Sequence, residues 1–231
     1  ARETGARIQI HLSETQTEHE ECKGRHGLTP AAYMEKHGIF DSPTTAAHCV
    51  WLEDEDFDIL KRHGVTVACC PASNLKLASG YANVPKMLES GINVALGTDG
   101  AASNNNLNIM QDMYLFGVVY KGYFRDPTII TPAEVLHAAT RAGALSQGRD
   151  DSGLLAVGMR ADLCVLNTDT PQFTPMTSAA CNVVYAAQGA DIRMTMVDGE
   201  VLYRDGEFKT IDIEKVKAEV QRRTDSILSR L

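Results

Sequence analysis

No uninterrupted apolar run in the 231 residues is long enough to cross a bilayer as a helix, which takes about 20 residues. The opening Ala1-Arg2-Glu3-Thr4-Gly5-Ala6-Arg7 lacks the apolar core of a secretory signal. Cationic residues are the minority: 22 Lys and Arg stand against 30 Asp and Glu, a formal net charge of −8 at pH 7. That balance argues against nucleic acid and against an anionic membrane as partners. Cysteine pairs at metal or redox spacing are missing as well, because none of the six cysteines forms a Cys-x-x-Cys. Cys69 and Cys70 are adjacent, while Cys22, Cys49, Cys164 and Cys181 are scattered. They are expected to be mostly small buried hydrophobes in a reducing, cytoplasmic setting.

What is present points to a folded core, with 44% hydrophobic and 23% charged residues. Apolar stretches at 7–11, 44–50, 65–70 and 92–98 read as strands. Between and after them, 30–37, 53–63, 84–90, 107–120 and 132–145 read as helices. Gly38, Gly64 and Gly91 supply stops, and Thr131 with Glu134 supplies a capping box. Repeated βα units with apolar strands predict a parallel sheet.

The texture changes near Ser152. Residues 154–166 read as a turn feeding a strand, and Asp198-Gly199 between apolar runs predicts a hairpin. Residues 204–207 make a second turn. Residues 212–231 read as an amphipathic helix with Ile213, Val216, Val220, Ile227 and Leu231 on one stripe. Three segments are therefore expected: a barrel portion at 1–150, a β-sandwich segment at 151–210 and a C-terminal helix at 211–231. A (β/α)8 barrel takes about 250 residues. Only four βα units precede the β segment, so the expected fold is α/β, the second half of such a barrel plus part of a small β-sandwich.

Three apolar strands end in residues that carry chemistry. Residues 7–10 deliver His11, residues 45–47 deliver His48, and Val94-Ala95-Leu96 leads through Gly97-Thr98 to Asp99. In parallel α/β barrels the reacting groups sit at these strand ends. Two His and one Asp so placed predict convergence on a single metal. His19, His26, His37, His63 and His137 lie in helical or connecting stretches and are expected to be structural.

These residues fall in ordered motifs. His11-Leu12-Ser13-Glu14-Thr15, Ala47-His48-Cys49-Val50, Ser73-Asn74-Leu75-Lys76-Leu77-Ala78-Ser79-Gly80 and Gly97-Thr98-Asp99-Gly100-Ala101-Ala102-Ser103-Asn104-Asn105 follow one another along the chain. Gly158-Met159-Arg160-Ala161-Asp162-Leu163 follows them. Together they resemble the amidohydrolase superfamily, in particular its 5-methylthioadenosine/S-adenosylhomocysteine deaminases, with triazine hydrolases nearby. The resemblance runs over essentially the whole chain. It implies a barrel metal held by an H-x-H pair on the first strand, by a His on the fifth and by an Asp on the eighth. His11 and Asp99 would be the last two of these ligands. No H-x-H occurs in this chain.

The implied cofactor is one divalent metal, zinc foremost, with iron or manganese as alternatives. The implied reaction is hydrolytic deamination of an adenosine-type nucleoside, in which water attacks C6 and ammonia leaves. Glu14 would protonate the purine ring nitrogen, Asp99 would act as base and metal ligand, and His48 would orient the water. Glu14, Asp99 and Asn74 would meet the substrate. The zinc deaminases that rely on P-C-x-x-C are excluded, since that pattern is absent. The alternatives are a hydrolase of another N-heterocycle, or an inactive half-barrel. The expected macromolecular partner is the N-terminal half of the same barrel or a second copy, because a half-barrel leaves strand edges open. Ile8, Ile10, Val94 and Leu96 would then face solvent or a partner.

Overall fold

The computed structural model describes residues 1–230; Leu231, which the sequence placed on the last helical stripe, lies outside them. Four strands, β1 (Ile8–Leu12), β2 (Thr44–His48), β3 (Thr66–Cys69) and β4 (Val94–Leu96), form a parallel sheet in sequence order. Helices α1 (Gln16–His26) and α2 (Pro30–Lys36) lie between β1 and β2, and α3 (Asp54–Arg62) lies between β2 and β3. Helices α4 (Pro71–Lys76) and α5 (Val84–Glu89) join β3 to β4. Four more follow: α6 (Ala101–Asn104), α7 (Ile109–Phe124), α8 (Pro132–Ala139) and α9 (Arg141–Ser146).

The strand register explains which side chains are buried. Ile10, Ala46, Val67 and Val94 stand in one row across the sheet, on the side covered by helices. Helix α3 fits that side because Phe57, Ile59 and Leu60 are buried while Asp54, Glu55, Asp58, Lys61 and Arg62 are exposed; Asp56 is buried as part of the cap. Its start is fixed by a capping box between Glu53 and Asp56. Side chains such as Leu60, Val65, Val67 and Met87 are almost fully enclosed. Each such burial stabilises the fold by about 1.5–3 kcal/mol. Val94, expected at an open surface, is therefore buried in this core, and Ile8, Ile10 and Leu96 are partly covered. Beyond β4, α8 and α9 pack against the strand. The opposite row, His11, Ala47, Ala68 and Ala95, carries small residues on three strands of four.

A second, antiparallel sheet contains β5 (Leu163–Leu166), β6 (Ile192–Val197), β7 (Glu200–Arg204) and β8 (Glu207–Phe208). The expected hairpin turns on Asp198 and Gly199, at φ 52° and 81°, as a primed turn requires. Helix α10 (Ala179–Tyr185) sits within this segment but packs on α7 and α8. Gly117 of α7 permits that approach: a Cβ there would meet Tyr185 at 3.1 Å and Val184 at 3.2 Å. The last helix, α11 (Ile213–Leu228), starts at Asp212 and buries no side chain; Val216, Val220 and Ile227 are exposed.

Several elements depart from the sequence reading. The single helix expected over 132–145 breaks at Thr140, whose φ of −126° and ψ of −87° leave the helical region. The Thr140 hydroxyl donates to the carbonyl of Leu136, the kind of local bond that competes with a helix. Helices α1, α4, α6 and α10 are additional to the helices expected from sequence. Cys49, Cys69 and Cys70 are buried as expected, but Cys164 and Cys181 are exposed, and all six thiols are free. No helix among the described residues is long and apolar enough to cross a membrane.

Candidate active site

Four of the nine non-glycine residues with positive φ among the described residues lie at or just after the carboxyl ends of the parallel strands. Ser13, His48, Cys49 and Asp99 have φ of 49°, 71°, 50° and 61°. Non-glycine residues rarely adopt such values, and they persist where surrounding structure over-determines them. At His48 the consequence is directional. His48 pairs in register with Leu12, two positions on from the row that faces the helices. Simple alternation would send its ring into the helix layer. With a left-handed backbone, the ring instead stacks on His11, centroids 5.2 Å apart and planes at 17°. His48 is almost fully enclosed and His11 is exposed.

The His48 ring is held from both sides. Its Nδ1–H donates to Oδ1 of Asn74 at 2.8 Å. Its Nε2 lies 3.6 Å from Oε2 of Glu14. The Asn74 bond fixes the tautomer and leaves the Nε2 lone pair toward Glu14 when the ring is neutral. Asn74 is itself buried on α4.

Glu14 is half-buried and tied into the loop after β1. Glu18, in the first turn of α1, accepts the amides of Ser13 at 2.9 Å and of Glu14 at 2.8 Å. Thr15 caps α1 by accepting the amide of Glu18. The Glu14 carboxylate also accepts a long bond, 3.5 Å, from the hydroxyl of Ser79. Ser13 is bound in turn by His19, whose other nitrogen lies 3.1 Å from Glu53. His19 is buried in this brace, consistent with its expected structural part.

Asp99 lies three residues beyond the end of β4. The Ser73 hydroxyl donates to its Oδ2 at 2.6 Å and the Gly100 amide to its Oδ1 at 2.7 Å. Partial burial works to raise its pKa, but those two bonds, the nearby His48 and the Ser103 hydroxyl outweigh it and hold the carboxyl below its usual range. Ser73 and Asn74 are consecutive residues of α4, so one short helix holds both Asp99 and His48. Lys76, three residues from Ser73, reaches the carbonyl of Ser103 at 2.7 Å. The arrangement thus offers an imidazole–carboxylate pair able to hold one proton, beside a carboxylate kept ionised.

Donor types suited to a divalent cation are present at His11, His48 and Asp99. Their number and placement are not sufficient: among the described residues no three His, Cys, Asp or Glu side chains gather so as to hold a metal. Both oxygens of Asp99 are already engaged. Of the three residues expected to converge, His11 stacks on His48 and His48 lies near Asp99, but among the described residues they do not form a three-ligand cluster. Ser79 and Glu18 are supports that the sequence reading misses. Thr15-x-x-Glu18 is a capping pattern that could have revealed α1.

The sequence model of the amidohydrolase family matches residues 1–202. The chain belongs to the amidohydrolase family. It is 44% identical over 229 residues to a 5-methylthioadenosine/S-adenosylhomocysteine deaminase of Acetivibrio thermocellus, covering 99% of this chain and 53% of that protein. It is 44% identical over 205 residues to a 5'-deoxyadenosine deaminase of Methanothermobacter thermautotrophicus, covering 89% of this chain and 48% of the relative. The structure resembles a zinc-bound adenosine deaminase of Xanthomonas campestris with a TM-score of 0.96 at 28% identity, over 99% of this chain and 52% of the other. It also resembles the zinc-complexed atrazine chlorohydrolase of Arthrobacter aurescens, with a TM-score of 0.90 at 26% identity, over 96% and 49%. The chain spans about half the length of the relatives it matches.

Proposed function

We propose that this amidohydrolase chain provides residues 1–150 as the second half of a (β/α)8 barrel and acts in hydrolytic deamination of adenosine-type nucleosides, 5-methylthioadenosine or S-adenosylhomocysteine. Residues 151–210 contribute to a β-sandwich, and residues 211–231 form a terminal helix. The observation that carries the activity is the Glu14–His48–Asn74 arrangement, with 3.6 Å between Glu14 and His48 and 2.8 Å between His48 and Asn74. Replacing an aromatic amino group by oxygen needs a proton delivered to the ring nitrogen as water adds to the adjacent carbon. Glu14, at the rim and backed by Ser79, is placed to hold that proton. His48, locked by Asn74, presents Nε2 to orient the incoming water. Asp99, kept ionised by Ser73 and Gly100, is the group able to accept the water's proton.

In this family setting a divalent metal, zinc in the solved neighbours, supplies Lewis acidity when bound. His11 and Asp99 would be this chain's ligands to it. They do not complete a site, and the remaining donors would have to come from outside the described residues. Edges β1 and β4 each pair on one side only among the described residues. That supports a partner supplying further barrel strands, either a complementary polypeptide or a second copy. Likeness to atrazine chlorohydrolase favours, as a second reading, hydrolysis of another N-heterocycle.

The test is ammonia release from 5-methylthioadenosine by this chain combined with a polypeptide carrying the complementary strands, in wild type and Glu14→Gln. Glutamine keeps the shape but cannot deliver the proton, so the rate is expected to fall about 10²–10⁴-fold with metal content unchanged. Equal rates would remove Glu14 from the mechanism.

A further inference from the structure

Helix α4 carries both Ser73 and Asn74, yet it has no cap of its own. Its N-cap residue, Cys70, makes no side-chain capping bond. The first amides of a helix need acceptors, and a buried amide left unpaired is destabilising. The acceptor comes from far along the chain. Asp112, the fourth residue of α7, accepts the Ala72 amide through Oδ1 at 3.1 Å. Its Oδ2 accepts the side-chain amide of Asn104 at 3.1 Å. Asn104 in turn donates to the carbonyl of Thr98 at 2.7 Å, one residue before Asp99. Asp112 is 1% exposed and no basic side chain pairs with it among the described residues.

We infer that Asp112 is a positioning residue: it clamps the start of α4 to the loop that carries Asp99, and so sets Ser73 and Asn74 against Asp99 and His48. Two alternatives account less well for it. A core position would be filled more stably by an apolar side chain, since an isolated buried carboxylate is costly to desolvate. A cap for α7 would use the amides of α7, whereas both bonds of Asp112 go to other elements. Burial drives its pKa up, against the two hydrogen bonds that lower it.

The geometry also says what a minimal change does. In Asp112→Asn one oxygen remains for the Ala72 amide, but the new NH2 then confronts the NH2 of Asn104. Turning the amide over restores Asn104 and abandons Ala72. One of the two bonds is lost in either orientation. In Asp112→Ala both are lost.

The inference rests on reading the His48–Asp99 cluster as the reacting site, so its test uses no turnover. The 231-residue chain would be followed by NMR, reading the Nδ1 proton of the His48 ring and amide hydrogen exchange at Ala72, with amides of the antiparallel sheet as an internal control. In Asp112→Asn, exchange of the His48 Nδ1 proton should rise about tenfold or more, with β6 and β7 amides unchanged. Asp112→Ala should give a larger rise at both His48 and Ala72. If Asp112→Ala does not fold, Asp112→Asn alone decides. A His48 proton protected as in wild type in Asp112→Asn would overturn the inference. So would equal loss of protection throughout the chain, which would make Asp112 a general stability residue. A selective His48 response together with no ammonia release from 5-methylthioadenosine by the completed barrel would instead retain the clamp and sink the proposed reaction.

Discussion

Replacing Ser73 by Ala tests how the ionised state of Asp99 is maintained. Ser73 is fully buried, and its hydroxyl donates to Asp99 Oδ2 at 2.6 Å, a short distance for a bond to a charged acceptor. A hydrogen bond to a charged group contributes about 1.5–3 kcal/mol, against about 0.5–1.5 for a neutral one. Asp99 is partly exposed, so solvent offsets some of the loss, and the lower end of each range applies. The Ser73→Ala chain is thus expected to lose about 1.5 kcal/mol at pH 7. The pH dependence has a definite sign. The carboxyl lies below its ordinary value in the folded chain. Its contribution is therefore present above the unfolded pKa of about 4 and is lost as pH falls through the folded value. Removing the hydroxyl should raise the folded pKa, by roughly 0.7 if the charged form loses about 1 kcal/mol more than the neutral one. Carboxyl carbon NMR of Asp99 against pH reads that shift, and urea unfolding at pH 7 and near pH 3 reads the energies. The penalty should shrink as pH falls through the folded Asp99 pKa, by at most about 1 kcal/mol once the carboxyl is protonated. An unmoved Asp99 pKa, or a penalty equal at both pH values, would refute the role assigned to the Ser73 hydroxyl.

Two further outcomes follow from the same structure. After dialysis the chain alone should retain well under one zinc per molecule by elemental analysis, because a catalytic zinc takes three protein ligands and no such trio gathers among the described residues; stoichiometric zinc in a monomer would contradict this. Leu60→Ala, at a fully enclosed position of α3, should lower unfolding stability by about 2–5 kcal/mol in a urea titration, and a change under about 1 kcal/mol would show that the core beneath the sheet is loosely packed.

Much of the architecture was legible in the amino-acid order because it depends on neighbours in the chain. Short apolar runs marked the four parallel strands, the third closed by Pro71 and the fourth by Gly97. Asp198-Gly199 and Asp205-Gly206 marked turns whose positive φ angles suit those residues. Thr131 and Glu134 announced the start of α8 through a capping box confined to four residues. The motifs around His11, His48 and Asp99 likewise carried the family, since they are short and ordered. Helix α4 was hidden for a physical reason. Its six residues, Pro71-Ala72-Ser73-Asn74-Leu75-Lys76, have no stripe long enough to show a period, and their cap is Asp112, forty positions away. The same holds for the bond between His48 and Asn74, whose partners are 26 positions apart in sequence. Strand periodicity would also have turned the His48 ring toward the helices. Only the tertiary structure, by forcing φ to 71° at that residue, brings the ring over His11 and toward Glu14, because the bonds that hold it there come from segments distant in sequence.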